Sequence, residues 1–231
     1  MRYDAIVFDL FGTLVPTGDL DVFLEDHCQT AVRLGVDVED YVRAWFSKPT
    51  TLKRTTGGFA NTIEAIKDIC NQLNVNVSDE VIRWSAASRI EVTRQVLLKP
   101  RADALGTLEA ISQRGLQLGM ISDCSTEVPL VWPETDLSQW FNATIFSCNE
   151  GTKKPDPRLY AMMCRRLSTM PEKCLFVGDG ACPELTGAQH LGMDAALICP
   201  PDEAKAILNR AEGRNWKGKT VASLTEVLDL I

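Results

Sequence analysis

Five polar side chains each follow a short apolar run or sit just behind one. Asp9 closes Ala5-Ile6-Val7-Phe8, and Ser122-Asp123 follows Leu116 to Ile121. Asp179 follows Leu175 to Gly178, with Glu184 five residues on. A carboxylate at the end of a buried strand can attack phosphorus or carbon and form a covalent aspartyl intermediate. By itself Asp9 reads equally well as a strand-end residue that caps the turn at Gly12-Thr13. Acids brought into one crevice also repel: two carboxylates ~4 Å apart oppose each other by about 4 kcal/mol at an effective dielectric near 20. Such a cluster either raises a pKa or binds a cation, and the cation is the simpler solution.

The elements that must position these residues are short runs, apolar on both faces, alternating with helical patterns. Ala5–Phe8, Leu116–Ile121, Ala143–Phe146, Leu175–Val177 and Ala195–Cys199 read as central strands of a parallel sheet. Helices are expected over Arg101–Gln113, Pro157–Ser168, Cys182–Leu191, Asp202–Ala211 and Ser223–Leu230. The alternation predicts an α/β, Rossmann-like, doubly wound parallel sheet, with ligands bound outside the carboxyl ends of its strands. Between Thr17 and Leu98 no strand pattern occurs. Helical stretches are expected there near Leu20–Leu34, Val38–Phe46, Ala60–Leu73 and Asp79–Leu97, with Lys48-Pro49 and Gly57-Gly58 as breaks in loops. Residues 17–98 therefore read as an all-helical cap domain inserted into a core of residues 1–16 and 99–231. In the cap, Trp45 and Phe46 are expected in its core, and Arg54 in a loop facing either the site or solvent.

The 231 residues suffice for such a core and insertion. A formal charge of -7 argues against a nucleic-acid partner, since phosphate contacts need clustered Lys and Arg. No stretch reaches membrane-spanning length, and the N-terminus lacks the apolar region of a signal peptide. The eight cysteines include no Cys-x-x-Cys pair and only two histidines accompany them, so a zinc site is not expected. The thiols read as small buried hydrophobes in a reducing cytoplasm, with Cys124 and Cys182 beside the proposed site loops. No obligate protein partner is evident.

Taken together, Asp9-Leu10-Phe11-Gly12-Thr13-Leu14, Ile121-Ser122-Asp123, Lys154-Pro155-Asp156-Pro157 and Gly178-Asp179-Gly180 with Glu184 and Gly187-Ala188 resemble the four signature motifs of the haloacid dehalogenase-like (HAD) hydrolases, in the family's order. The resemblance implies a role for each matching residue. Asp9 would be the nucleophile. Ser122 would hydrogen-bond a phosphoryl oxygen, and Lys154 would pair with the nucleophile and the transferred group. Asp9, Asp179, Glu184 and the Phe11 carbonyl would hold Mg²⁺, which prefers oxygen ligands and retains several waters. Gly12, Asp123 and Arg54 join Ser122 and Lys154 as expected substrate contacts.

Phe11 departs from the motif. The family's phosphatases place an aspartate there to protonate the leaving oxygen and later to activate water, and its absence is expected to slow turnover by ~10²–10⁴-fold. The family's 2-haloacid dehalogenases carry an aromatic residue at this position and use no metal, but they lack the acid equivalent to Asp179. The expected function is thus a Mg²⁺-dependent phosphatase of a small phosphorylated metabolite, working through an aspartyl-phosphate. The alternatives are a 2-haloacid dehalogenase and a HAD-fold protein that binds a phosphorylated ligand without turnover.

Overall fold

A computed structural model describes residues 2–16 and 20–231. The expected start of the inserted block, at Thr17, lies outside the described residues. Strand β1 (Ala5–Phe8) is apolar on both faces because both are covered. Ile6 and Phe8 enter one hydrophobic cluster with Leu108, Leu118 and Val177, while Ala5 and Val7 enter another with Leu159, Phe176 and Leu185. Beside it run β2 (Gln117–Ser122), β3 (Ala143–Phe146), β4 (Cys174–Gly178), β5 (Asp194–Ile198) and β6 (Lys219–Val221). All pairs are parallel, and the order is β3-β2-β1-β4-β5-β6. This is the doubly wound order, whose direction reverses between β1 and β4, the place where such sheets bind ligands. Phe8 lies opposite Met120 on one side and Val177 on the other. Asp9 therefore leaves the sheet flanked by the ends of β2 and β4.

An all-helical cap is inserted after β1. It comprises α1 (Leu20–Leu34), α2 (Val38–Trp45), α3 (Lys48–Thr55), α4 (Thr62–Gln72) and α5 (Asp79–Leu97). Its helices bury a cluster of their own, in which Ala31, Leu34, Tyr41, Trp45, Ile66, Ile69 and Ile82 pack together. The cap is tied down onto the core. Arg94 on α5 forms a two-point ion pair with Glu134 at 2.7 and 3.1 Å, and Arg89 reaches Glu127 at 3.3 Å.

Helix α3 corrects the expected break at Lys48-Pro49. Ser47 accepts the Thr50 N–H, and Pro49 occupies the first turn, where its missing N–H has no intrahelical partner to lose. Lys53 and Arg54 then complete the last turn, where the helix dipole favours cations, so Arg54 is not a loop residue. Phe46 corrects a second expectation. Trp45 is buried, but Phe46 falls just past the end of α2 and is 59% exposed.

The core supplies α6 (Ala104–Gln113), α7 (Glu127–Val131), α8 (Ser147–Glu150), α9 (Pro157–Arg166), α10 (Glu184–Leu191) and α11 (Ala204–Ile207). The helix expected from Arg101 begins only at Ala104, and the one expected over Asp202–Ala211 shrinks to α11 followed by turns. The sixth strand, three residues long, was too short to show a pattern, and the closing segment is 3₁₀ over Thr225–Asp229. Among the described residues no helix is long and apolar enough to cross a membrane.

Candidate active site

The end of β1 is locked to β4 by the Asp9 N–H, which donates to the Val177 carbonyl at 2.9 Å. That bond presents the buried Asp9 carboxylate at the switch point. One of its oxygens meets the Lys154 ammonium and the other accepts the Thr13 hydroxyl at 3.2 Å. Gly12, at φ +82°, turns the chain here, and any side chain on it would run into the Asp179 carboxylate and the Arg210 guanidinium. The turn is further held by Arg101, which donates to the Thr13 and Gly12 carbonyls at 2.8 and 2.9 Å and pairs with Glu203 at 2.6 Å.

Lys154 bridges Asp9 and Glu184 with its Nζ, while its backbone N–H donates to Asp123 Oδ1 at 2.9 Å. Burial alone would drive its proton off. Asp9, Glu184 and Asp123 outweigh that and hold the ammonium well above its ordinary pKa. Glu184, the first residue of α10, is pushed up to about 7 by burial against the opposing pull of Lys154, and its other oxygen accepts the Gly180 N–H at 3.0 Å. Burial likewise raises Asp123, which Lys154 opposes. At the end of β4, Asp179 accepts the Ala181 N–H on Oδ1 at 2.9 Å and pairs with Arg210 through Oδ2. Ser122 closes β2 with a buried hydroxyl that has no oxygen or nitrogen partner among the described residues; its neighbour is the Cys124 thiol.

Ligand atoms of Asp9, Asp179 and Glu184 all lie within 4.8 Å of one another on buried side chains. Hard oxygen donors at that spacing fit a divalent cation such as Mg²⁺. All three acids already have both oxygens engaged: Asp9 by Lys154 and Thr13, Asp179 by Ala181 and Arg210, and Glu184 by Lys154 and Gly180.

Cap and core enclose a cavity of about 270 Å³ at this site. Phe11, Phe23, Val96 and Val128 supply its apolar wall, and Arg54, Arg89, Asp123 and Ser125 its polar groups. Arg54 donates to Ser125 Oγ at 2.8 Å and to the Trp45 carbonyl at 3.3 Å, with its guanidinium 4.3 Å from the Trp45 ring centroid. Burial lowers its pKa to about 10, which leaves it charged at neutral pH. The structure thus gathers Asp9, Gly12, Ser122, Asp123, Lys154, Asp179 and Glu184 at the strand ends, with Arg54 and the Phe11 side chain on the adjoining cavity. The thiols nearby are poor nucleophiles: burial pushes Cys182 up to about 12 and Cys124 well above its ordinary value.

A model of the haloacid dehalogenase-like hydrolases matches residues 3–192. The chain belongs to that family. It is a HAD hydrolase, and its relatives include proteins named for two hydrolytic chemistries. It is 25% identical over 235 residues to the glyceraldehyde 3-phosphate phosphatase of Pyrococcus furiosus, covering 99% of this chain and 94% of that protein. It is 27% identical over 229 residues to the (S)-2-haloacid dehalogenase of Pseudomonas fluorescens, covering 91% and 94%. The 2-haloacid dehalogenase structure from Pseudomonas syringae pv. Tomato DC3000 superposes with a TM-score of 0.70 at 21% identity, covering 99% of this chain and 97% of that one, and speaks for the fold alone.

Reasoning from the sequence missed four residues that shape this HAD site: Thr13, Arg101, Arg210 and Glu212. Thr13 lies inside the first motif, and its hydroxyl only four residues from Asp9 was a readable signal. The other three are drawn in from irregular segments and carried no local pattern.

Proposed function

We propose that this HAD hydrolase is a Mg²⁺-assisted phosphatase of small phosphorylated metabolites, with Asp9 as the nucleophile. The observation that carries the reading is Asp179, an acid retained and fully buried beside Asp9, which a metal-free dehalogenase does not need. Asp9, Asp179 and the Phe11 carbonyl would hold the ion, with Glu184 behind them. When bound, it would neutralise phosphoryl oxygens and make phosphorus more electrophilic.

The chain's own residues do the rest. Asp9 attacks phosphorus, forming an acyl-phosphate bond as the bond from phosphorus to the leaving oxygen breaks. Lys154, held protonated, fixes the attacking carboxylate and offsets charge on the transferred group. The buried Ser122 hydroxyl is available to donate to a phosphoryl oxygen. Phe11 cannot protonate the leaving oxygen, so that oxygen departs as an anion. The same gap slows attack of water on the aspartyl-phosphate. Arg54 and Arg89 offer the organic part of the substrate a cationic wall, and Phe11 and Phe23 an apolar one. Residues 17–98 are assigned as the cap domain that closes over the site.

One observation favours a second reading. Phe11 and the haloacid dehalogenase relatives fit displacement of halide by Asp9, a step that needs no proton donor. Activity with and without chelator separates the two. Hydrolysis of an aryl phosphate that EDTA abolishes supports the phosphatase. Release of chloride from 2-chloropropionate that ignores EDTA, with no phosphate release, supports the dehalogenase.

A further inference from the structure

The segment between β5 and β6 reaches back into the site. After the single turn of α11 the chain brings Arg210 against the Asp179 carboxylate and beside Gly12, with 15% of its side chain exposed. This is not a surface arginine resting on a convenient acid, because the strap that carries it is pinned on both sides. Two residues on, the buried Glu212 accepts the Leu185 and Thr186 N–H groups at 2.7 and 2.9 Å and the Thr186 hydroxyl. It thereby satisfies the first turn of α10, whose opening residue is Glu184. The Glu212 N–H also donates to the Gly180 carbonyl at 3.2 Å. On the other side Glu203 pairs with Arg101, which holds the Gly12 and Thr13 carbonyls. Both anchors fasten the strap to the two loops that carry Asp9 and Asp179.

The charges around the switch point follow from these contacts. Three buried acids, Asp9, Asp179 and Glu184, are met by two cations. Lys154 serves Asp9 and Glu184, and Arg210 serves Asp179. A divalent ion on Asp9 and Asp179 would compete with the guanidinium for the same carboxylate and would be repelled by it at close range. With Oδ1 accepting the Ala181 N–H, the Asp179 oxygen free of a backbone bond is Oδ2, the one Arg210 holds.

We propose that Arg210 is a resident counter-cation of Asp179, so that a divalent metal enters the site only by displacing it and drawing the strap of residues 203–213 away. Metal affinity is then set by the anchoring of the strap as well as by the ligands. With metal absent the buried acid is still neutralised and the fold keeps its shape. This rests on the reading of Asp179 as a metal ligand and adds to it a competitor built into the chain.

The test is Mg²⁺ titration by calorimetry of the full chain as native protein, Arg210→Gln and Asp179→Asn, with hydrogen exchange of the native protein followed with and without Mg²⁺. Arg210→Gln is expected to bind Mg²⁺ about tenfold more tightly than the native chain, an ordinary coupling for two competing ligands. Asp179→Asn is expected to lose binding. In the native protein, which needs no substitution to report, Mg²⁺ should speed exchange of amides in residues 203–213. Equal Mg²⁺ affinity in the native and Arg210→Gln proteins, with exchange in the strap unchanged, overturns the role of Arg210 and leaves Asp179 as a ligand. Binding by neither protein overturns the metal reading and this inference with it.

Discussion

In the core, buried acids meet their cations at strand ends: Asp9 and Glu184 share Lys154, and Asp179 holds Arg210. In the cap, buried cations come from helix faces and lean on rings. Arg54 lies 4.3 Å from the Trp45 centroid, and Arg89 lies 4.7 Å from that of Phe23 and 5.1 Å from that of Trp45. The two regions also differ in how their charged groups are met. The core acids are bonded on both oxygens or paired. Arg54 Nε and both nitrogens of His27 have no hydrogen-bond partner among the described residues, and Arg89 Nη1 has only Asp26 at 3.8 Å. A charge-balanced core suits a site whose reacting groups must stay fixed, whereas a cationic cap with spare donors suits a wall that receives an anion.

The largest expected effect lies on the core side. Asp9→Asn keeps the shape and removes the proposed nucleophile, and steady-state hydrolysis should fall by about 10⁴-fold or more, as for other covalent catalysts stripped of the attacking group. Next comes Lys154→Met, which leaves Asp9 and Glu184 buried without their shared cation. Breaking a buried pair from one side destabilises by about 3–5 kcal/mol, and urea unfolding should show a loss of that size. A loss below about 1 kcal/mol would mean that water or a metal already screens the pair.

The cap is expected to answer to pH instead. The His27 ring is buried against Tyr41, Trp45 and Phe46, and burial first, then Arg89 and Arg54, push its pKa from the ordinary 6.5 down to about 3. Between those values the unfolded chain takes up a proton that the folded chain refuses. Stability is therefore complete above pH 6.5 and is lost as pH falls toward 3. At about pH 5 the loss is roughly 2 kcal/mol. His27→Phe should remove that part of the acid sensitivity, read from urea midpoints at about pH 5 and pH 8, and an unchanged difference between the two would place the sensitivity elsewhere. The smallest expected effect is that of Arg54→Gln: KM for a phosphorylated substrate should rise about tenfold with little change in kcat, as when uniform binding is removed.

The same contrast governs what could be read from the sequence. A strand covered on both faces must be continuously apolar, so the acid that ends it stands out. Asp9, Ser122, Asp179 and the parallel sheet were legible for that reason. Lys154 and Glu184 needed the company of the other motifs. Residues delivered by irregular chain left no such mark. Arg210 sits where a helix over Asp202–Ala211 was expected, and only its anchors at Glu203 and Glu212, far apart in sequence from their partners, turn it inward. Pro49 reads as a break, yet it opens α3 and so sets Arg54 in the last turn of a helix. Phe46 is an aromatic next to a buried Trp45, but one step along a helix end is enough to turn it to solvent.

The central claim, that Asp9 attacks phosphorus in a site whose leaving oxygen has no proton donor, is tested most directly by a leaving-group series. The measurement is kcat/KM for acyl, aryl and alkyl phosphates with Mg²⁺, on the native protein and on Phe11→Asp. In the native protein the rate should fall steeply as the leaving group becomes more basic. Phe11→Asp should flatten the series by restoring up to ~10²–10⁴-fold on alkyl phosphates, the contribution of acid–base catalysis. A native protein that hydrolyses alkyl and aryl phosphates equally well, or a folded Phe11→Asp that gains nothing on alkyl phosphates, would contradict it.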